Sequence, residues 1–159
     1  MSVQIQTISL LPNLPSIYGI YANKSKSPVY VGQTTKLKNR ITQHLVRRDS
    51  SIVTGASGYS LDPDHVKRIS WWEHHLFVEE NNLTAAELIA FNQLNPIIRS
   101  QGNKKQSSQI LSDENFVQEM VQLFQGEPTG ELNIVDLNQA LQRISKLEDR
   151  IRQLEEKLK

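Results

Sequence analysis

The chain predicts an α/β (α+β) domain, a small three-stranded antiparallel sheet flanked by helices, with a C-terminal helical coiled-coil tail. Three patterns carry that expectation. Two short β-prone runs, 17–22 (IYGIYA) and 29–32 (VYVG), are separated by the polar, turn-rich segment 23–28 and form a hairpin pattern. A third run, VKRISWW at 66–72, has the β-branched and aromatic character of a further strand. From Leu137 onward, apolar residues recur with a heptad period.

The length of 159 residues accommodates one compact domain plus an appendage. No apolar run reaches the length of a membrane span, and the N-terminal MSVQIQTISLLPN lacks a basic leader, so neither membrane insertion nor secretion is expected. The absence of cysteine excludes disulfides and thiolate metal sites and fits a cytoplasmic protein. A formal net charge of +1 conceals an asymmetry. Residues 1–105 hold 12 Lys and Arg against 7 Asp and Glu, a balance of +5, whereas 106–159 hold 6 against 10, a balance of −4. The basic half is the expected partner of a polyanion. The boundaries expected are a core over 1–105, an amphipathic helix and hinge over 106–130, and a dimerisation segment over 131–159.

At the N-terminus, Val3, Ile5 and Ile8 punctuate a polar stretch that can form an edge strand or a packing arm. In the hairpin, Tyr18 and Tyr30 share parity, so a register that pairs them puts both rings on one sheet face. A helix follows, with Thr34 or Thr35 at its N-cap and Leu37, Ile41 and Leu45 as a buried stripe. Arg40 and His44 lie one turn apart beside that stripe. Segment 49–64, rich in Ser, Gly and Asp, is a long loop of the kind that contacts substrate outside a cleft. Trp71 and Trp72 point to opposite faces of the third strand; one belongs to the core, and the other covers a helix or meets a base, with core favoured.

A second helix is expected over 85–94, capped by Thr84 and ended by Asn95-Pro96. Ser112 is expected to cap a third, whose stripe of Phe116, Val117, Met120, Leu123 and Phe124 packs on the core or on a partner subunit. Segment 125–130 has the composition of a hinge. In the tail, Leu137, Ile144, Ile151 and Leu158 occupy a positions, and Ala140, Leu147 and Leu154 occupy d. Ile at a with Leu at d favours a parallel two-stranded coil, and Arg143 and Arg150 at g would face Glu148 and Glu155 at e of a second chain. The competing arrangement is an amphipathic helix docked on its own domain, with Leu141 widening the stripe.

The segment 15–40, PSIYGIYANKSKSPVYVGQTTKLKNR, resembles the GIY-YIG nuclease family, and the resemblance covers about the first hundred residues. Tyr30-Val31-Gly32 matches the second signature, and Arg40, eight residues beyond Gly32, stands where the family places its arginine. Gly19-Ile20-Tyr21 spells the first signature literally. Ser16-Ile17-Tyr18 is preferred for it, because it follows Pro15 and leaves an interval before Tyr30 close to the family's own, with Ser16 in place of the expected glycine. The resemblance predicts one essential acid on the second helix, which Glu87 matches. The local pattern offers an alternative, a capping box in which Glu87 serves the backbone of Thr84. For the family's downstream asparagine, Asn103 fits, with Asn95 as competitor.

The resemblance implies a divalent-metal-dependent DNA endonuclease. Glu87 would bind one Mg²⁺ or Mn²⁺, Tyr18 would serve as general base, Tyr30 would position the water or the phosphate, and Arg40 would brace the phosphate. His44 would accept or relay the tyrosine proton, and Asn103 would complete the catalytic set. Lys24, Lys26, Lys36, Lys38, Arg47 and Arg48 would hold DNA. Each residue has a plainer role available: hairpin tyrosines pack, and the cations can form a solvated helix face. The adjacent His74 and His75 lack a well-spaced acid and are expected to be structural. The functional expectation is a restriction-type enzyme that dimerises through its tail. The alternatives are a non-catalytic nucleic-acid-binding or assembly module and a structure-selective nickase.

Overall fold

In the computed structural model, which describes residues 2–22, 26–56, 58, 60–99, 104–134 and 137–159, six strands form one sheet. They are β1 (Val3–Ile5), β2 (Ser16–Ala22), β3 (Tyr30–Thr34), β4 (Val66–Trp72), β5 (Ile98–Arg99) and β6 (Gly130–Asn133), in the order β1-β6-β4-β2-β3-β5. The helices are α1 (Leu37–Thr42), α2 (Ser51–Thr54), α3 (Glu80–Leu94), α4 (Lys104–Leu111), α5 (Glu114–Gln125) and α6 (Leu137–Lys157).

β2 is central and buried at every position but the last, since it has a strand on each side and a packed layer on each face. It pairs antiparallel with β3, placing Tyr18 opposite Gly32 and Ile20 opposite Tyr30. It also pairs antiparallel with β4, placing Tyr18 opposite Trp71. The period-2 alternation then separates two cores. On one face Tyr18, Ile20, Tyr30, Ile69 and Trp71 pack with Leu37 and Ile41 of α1. On the other, Ile17, Val31 and Trp72 pack with α3 and with Phe116, Met120 and Phe124 of α5. Trp71 and Trp72 do face opposite ways, and both are buried.

The expected three-stranded sheet is therefore the middle of a six-stranded one. The three additional strands are two to four residues long and lie outside the central three. In β6, GELN offers only Leu132 to the core, so its strand character comes from pairing with β4 and β1 rather than from its own pattern.

Three caps also differ from expectation. The N-cap position of α1 is Lys36, while the Thr34 hydroxyl accepts from the Lys36 N–H and donates to its carbonyl. α3 starts at Glu80, so Thr84 lies inside it and the Thr84–Glu87 capping box does not form. A turn over His75–Val78 anchors Phe77 and feeds the chain into the helix early enough to bury Leu83. α5 is capped by Asp113, whose carboxylate accepts from the N–H groups of Asn115 and Phe116 at 3.0 and 3.4 Å, not by Ser112. The predicted end of α3 is kept, with Asn95 left-handed at φ 50°.

Segment 49–64 carries structure of its own. α2 buries Ile52, Leu61 returns to donate to the Ile52 carbonyl at 2.8 Å, and Arg48 bonds Asp64 at 2.7 Å, closing the loop at its base. In α6, Ile144, Leu147, Ile151 and Leu154 are between 52% and 59% exposed. Among the described residues no helix is long and apolar enough to cross a membrane.

Candidate active site

Three rings meet under the centre of the sheet. Tyr18 and Tyr30 project from the same face on a diagonal, with ring centroids 6.0 Å apart, and His44 lies 5.8 Å from Tyr18 and 6.0 Å from Tyr30. The position between them is Gly32, and only glycine fits there. A Cβ on it would stand 2.7 Å from the Tyr18 hydroxyl and 2.9 Å from the Tyr30 ring. Tyr21 lies on the other face, under the Arg68 guanidinium at 4.2 Å. Ser16-Ile17-Tyr18 is thus the triplet that delivers a phenol to Tyr30 and His44. Ser16 itself is buried, and its hydroxyl donates to the Leu14 carbonyl at 3.1 Å.

His44 arrives from α1. Leu37 and Ile41 set the buried face, and the chain then widens into a π-helical turn over Gln43–Arg47. This turn rotates His44 onto the buried face, where it is 2% exposed, and leaves Leu45 only partly buried. Such turns recur at functional sites. His44 Nε2 is 2.8 Å from the Tyr18 hydroxyl, and Nδ1 is 2.7 Å from the Ser50 hydroxyl. Burial, aided by the nearby Arg40 charge, lowers the His44 pKa to about 4, so the ring is neutral at pH 7. Burial also raises the Tyr18 pKa well above 10, reinforced by Tyr30 and opposed by Arg40. The phenol therefore keeps its proton at rest and holds it beside a neutral base.

Arg40 is half-buried and donates to the Gln43 side chain at 3.1 Å, and its charge acts on both Tyr18 and His44. Glu87 is 1% exposed and comes from α3, where Gln33 Nε2 reaches its carboxylate at 3.5 Å and the Thr84 hydroxyl at 3.3 Å. The negative charge of Glu87 is felt at Tyr18. No cluster of three or more His, Cys, Asp or Glu forms a cage among the described residues. One carboxylate beside the Gln33 amide and the Thr84 hydroxyl fits a hard divalent ion that keeps water and takes phosphate oxygens as its remaining ligands.

Asn103 and Lys24 lie outside the described residues. Asn95 serves as the exposed C-cap of α3. Lys26 and Lys36 are exposed and Lys38 is half-buried. Arg48 pairs with Asp64 at 2.7 Å and Arg47 with Asp49 at 3.7 Å, both at the solvent-exposed surface. His74 bonds Glu119 at 3.0 Å and accepts from the Leu76 N–H, which fits a structural part. Sequence reasoning missed Gln33, Thr84 and Ser50. Gln33 was accessible to it, since its parity opposes that of Gly32 and turns it toward α3. Ser50 gave no signal within a serine-rich loop.

Two phenols flanking Gly32 and a neutral imidazole against both, with the charges of Arg40 and Glu87 felt at Tyr18, make a site suited to phosphodiester hydrolysis. Residues 15–104 match the GIY-YIG catalytic domain, more than half of the chain, and the chain belongs to that family. It therefore carries the catalytic domain of an endonuclease, a class that is generally dependent on divalent metal. Neither the curated proteins nor the solved structures hold a significant match to it.

Proposed function

We propose that the protein is a divalent-metal-dependent DNA endonuclease of restriction type that acts as a homodimer. The observation that carries the catalytic part is the Tyr18–Tyr30–His44 triangle, in which the hydroxyl of a buried phenol lies 2.8 Å from a neutral imidazole. Tyr18 takes a proton from the attacking water as its own proton passes to His44 Nε2. This exchange avoids a free phenolate, which burial disfavours. Tyr30 orients the water or the phosphate from its place on the same face, and Arg40 neutralises the phosphate. Glu87 would hold Mg²⁺ or Mn²⁺, which would polarise the scissile phosphate and stabilise the leaving oxygen. Asn103, Lys24, Lys26, Lys36, Lys38, Arg47 and Arg48 complete the set proposed to act at or around the DNA.

The dimer is supported by α6. Its apolar a and d residues from Ile144 to Leu158 are exposed, and a second copy covers them with Arg143 and Arg150 facing Glu148 and Glu155. Two linked active sites suit a cut through both strands. The test is incubation of the purified protein with plasmid and methylation-free genomic DNA, with Mg²⁺ or with EDTA. Discrete fragments that appear only with Mg²⁺ are expected. Cuts confined to branched or flapped substrates would replace the restriction assignment with a structure-selective nickase. Salt-sensitive binding with no cleavage of any substrate would leave a nucleic-acid-binding module.

A further inference from the structure

The hydroxyl nearest the outer nitrogen of His44 belongs to Ser50, six residues further along the chain. The two groups are 2.7 Å apart, and Ser50 and His44 are only 3% and 2% exposed. Ser50 also stands at the N-cap position of α2 with the extended backbone of such a residue (φ −70°, ψ 152°). A serine there ordinarily turns its hydroxyl to the first free N–H groups of the helix. This one makes no such bond. The N–H of Val53, which a capping hydroxyl could take, goes instead to the Ser50 carbonyl at 3.0 Å, and the side chain is left to His44. Local capping thus does not account for the hydroxyl's direction.

We propose that Ser50 is a positioning residue whose hydroxyl accepts the Nδ1 proton of His44, holding the imidazole in the tautomer that turns the Nε2 lone pair toward Tyr18. The proposal rests on the roles given above to Tyr18 and His44 and extends them to a buried residue bonded to the ring. A neutral imidazole has one donor nitrogen and one acceptor nitrogen, so a hydroxyl that accepts at Nδ1 leaves Nε2 as the acceptor. With Nδ1 protonated, Nε2 can receive the Tyr18 proton. With Nε2 protonated, the ring presents a hydrogen to Tyr18 and cannot serve as its base. Removing the Ser50 hydroxyl would leave a buried N–H without its acceptor, which disfavours the productive tautomer. Because Ser50 lies at the base of the loop that Arg48 and Asp64 close, the loop's placement and the ring's orientation are set together.

Long-range ¹H–¹⁵N spectra of the full chain identify the His44 tautomer, with His44→Ala assigning the signal, beside single-turnover plasmid cleavage in Mg²⁺. The wild type should show the Nδ1–H form. Ser50→Ala should shift toward the Nε2–H form and lose about 10- to 100-fold in cleavage rate constant with little change in DNA affinity, the scale of loss seen when an orienting partner is removed. Ser50→Thr should restore both, and Ser50→Ala with His44→Ala should be no slower than His44→Ala alone. An Nε2–H ring in the wild type, or a Ser50→Ala protein with unaltered tautomer and rate, would overturn the proposal. If Ser50→Ala does not fold, the wild-type tautomer decides alone. A wild type that cuts nothing yet shows a Ser50-dependent Nδ1–H ring would count against the reaction assigned to the site, not against the hydrogen bond.

Discussion

At Gly32 the absence of one carbon keeps the Tyr18 and Tyr30 rings in contact, and Gly32→Ala is the sharpest steric test of the candidate site. Its methyl would meet the Tyr18 hydroxyl at 2.7 Å and Tyr30 at 2.9 Å, so one ring must leave its place. Overpacking of this kind costs about 1–3 kcal/mol. Thermal or denaturant unfolding should show that loss, and cleavage should fall by more than stability alone explains. Tyr18→Phe keeps the ring and removes the proton; a drop of about 10²- to 10⁴-fold in rate constant with DNA affinity preserved is expected for loss of a general base. His44 links the site to pH. Its pKa falls from 6.5 to about 4 on folding, so between those values the unfolded chain binds a proton that the native ring refuses. The contribution of His44 to stability is therefore complete above pH 6.5 and is lost as pH falls toward 4, by up to about 3 kcal/mol in total. Denaturant unfolding from pH 7 to 4 checks this, and His44→Gln should flatten that part of the curve. Parity in the sequence puts Tyr18 and Tyr30 on one sheet face and helical spacing puts Arg40 and His44 one turn apart, whereas Glu87 is singled out only by the family resemblance. The sequence could not locate Ser50, because the bond to His44 depends on a π turn and a left-handed Arg48 that no periodicity announces.

The central elements were legible because their own patterns dictate them. β2 and β4 are rich in β-branched and aromatic residues, and β4 occupies the span its sequence predicts. α1 follows its buried stripe as far as Ile41, beyond which the π turn brings in His44 in place of Leu45. Elements that depend on partners were not legible. β5 has two residues, β6 has one buried apolar side chain, and α4 (KKQSSQIL) lacks a pronounced apolar stripe. Helix starts shifted for a related reason: Thr84 has the chemistry of a cap, but its hydroxyl meets Gln33 across the α3–sheet contact, where tertiary packing outweighs the local signal. β6 is held through Gly130, where a Cβ would lie 2.2 Å from the Trp71 indole. Gly130→Ala should therefore displace the indole or the strand, and amide exchange should accelerate across β6 and its neighbour β1 while the β2–β3 hairpin keeps its protection.

For the whole molecule, the proposed division is assembly by the acidic C-terminal portion and DNA contact by the basic N-terminal portion. α6 leaves an apolar seam in water, which a second copy would cover in the proposed dimer. Sedimentation of the full chain should give a dimer. Leu147→Glu, placed in the middle of that seam, should give monomers that nick DNA but no longer cut both strands together. A monomeric wild type would remove the paired-site part of the account and leave the chemistry of each site untouched. In the proposed reaction, Glu87 would hold the metal that supports phosphodiester hydrolysis at the tyrosine–histidine triangle. This role is tested most directly by the conversion of supercoiled plasmid in Mg²⁺ by wild type and by Glu87→Gln, with matched unfolding curves and DNA affinities. The account predicts cleavage by the wild type that EDTA abolishes and that Glu87→Gln lacks while remaining folded and bound to DNA. Cleavage by a folded Glu87→Gln at the wild-type rate would contradict it.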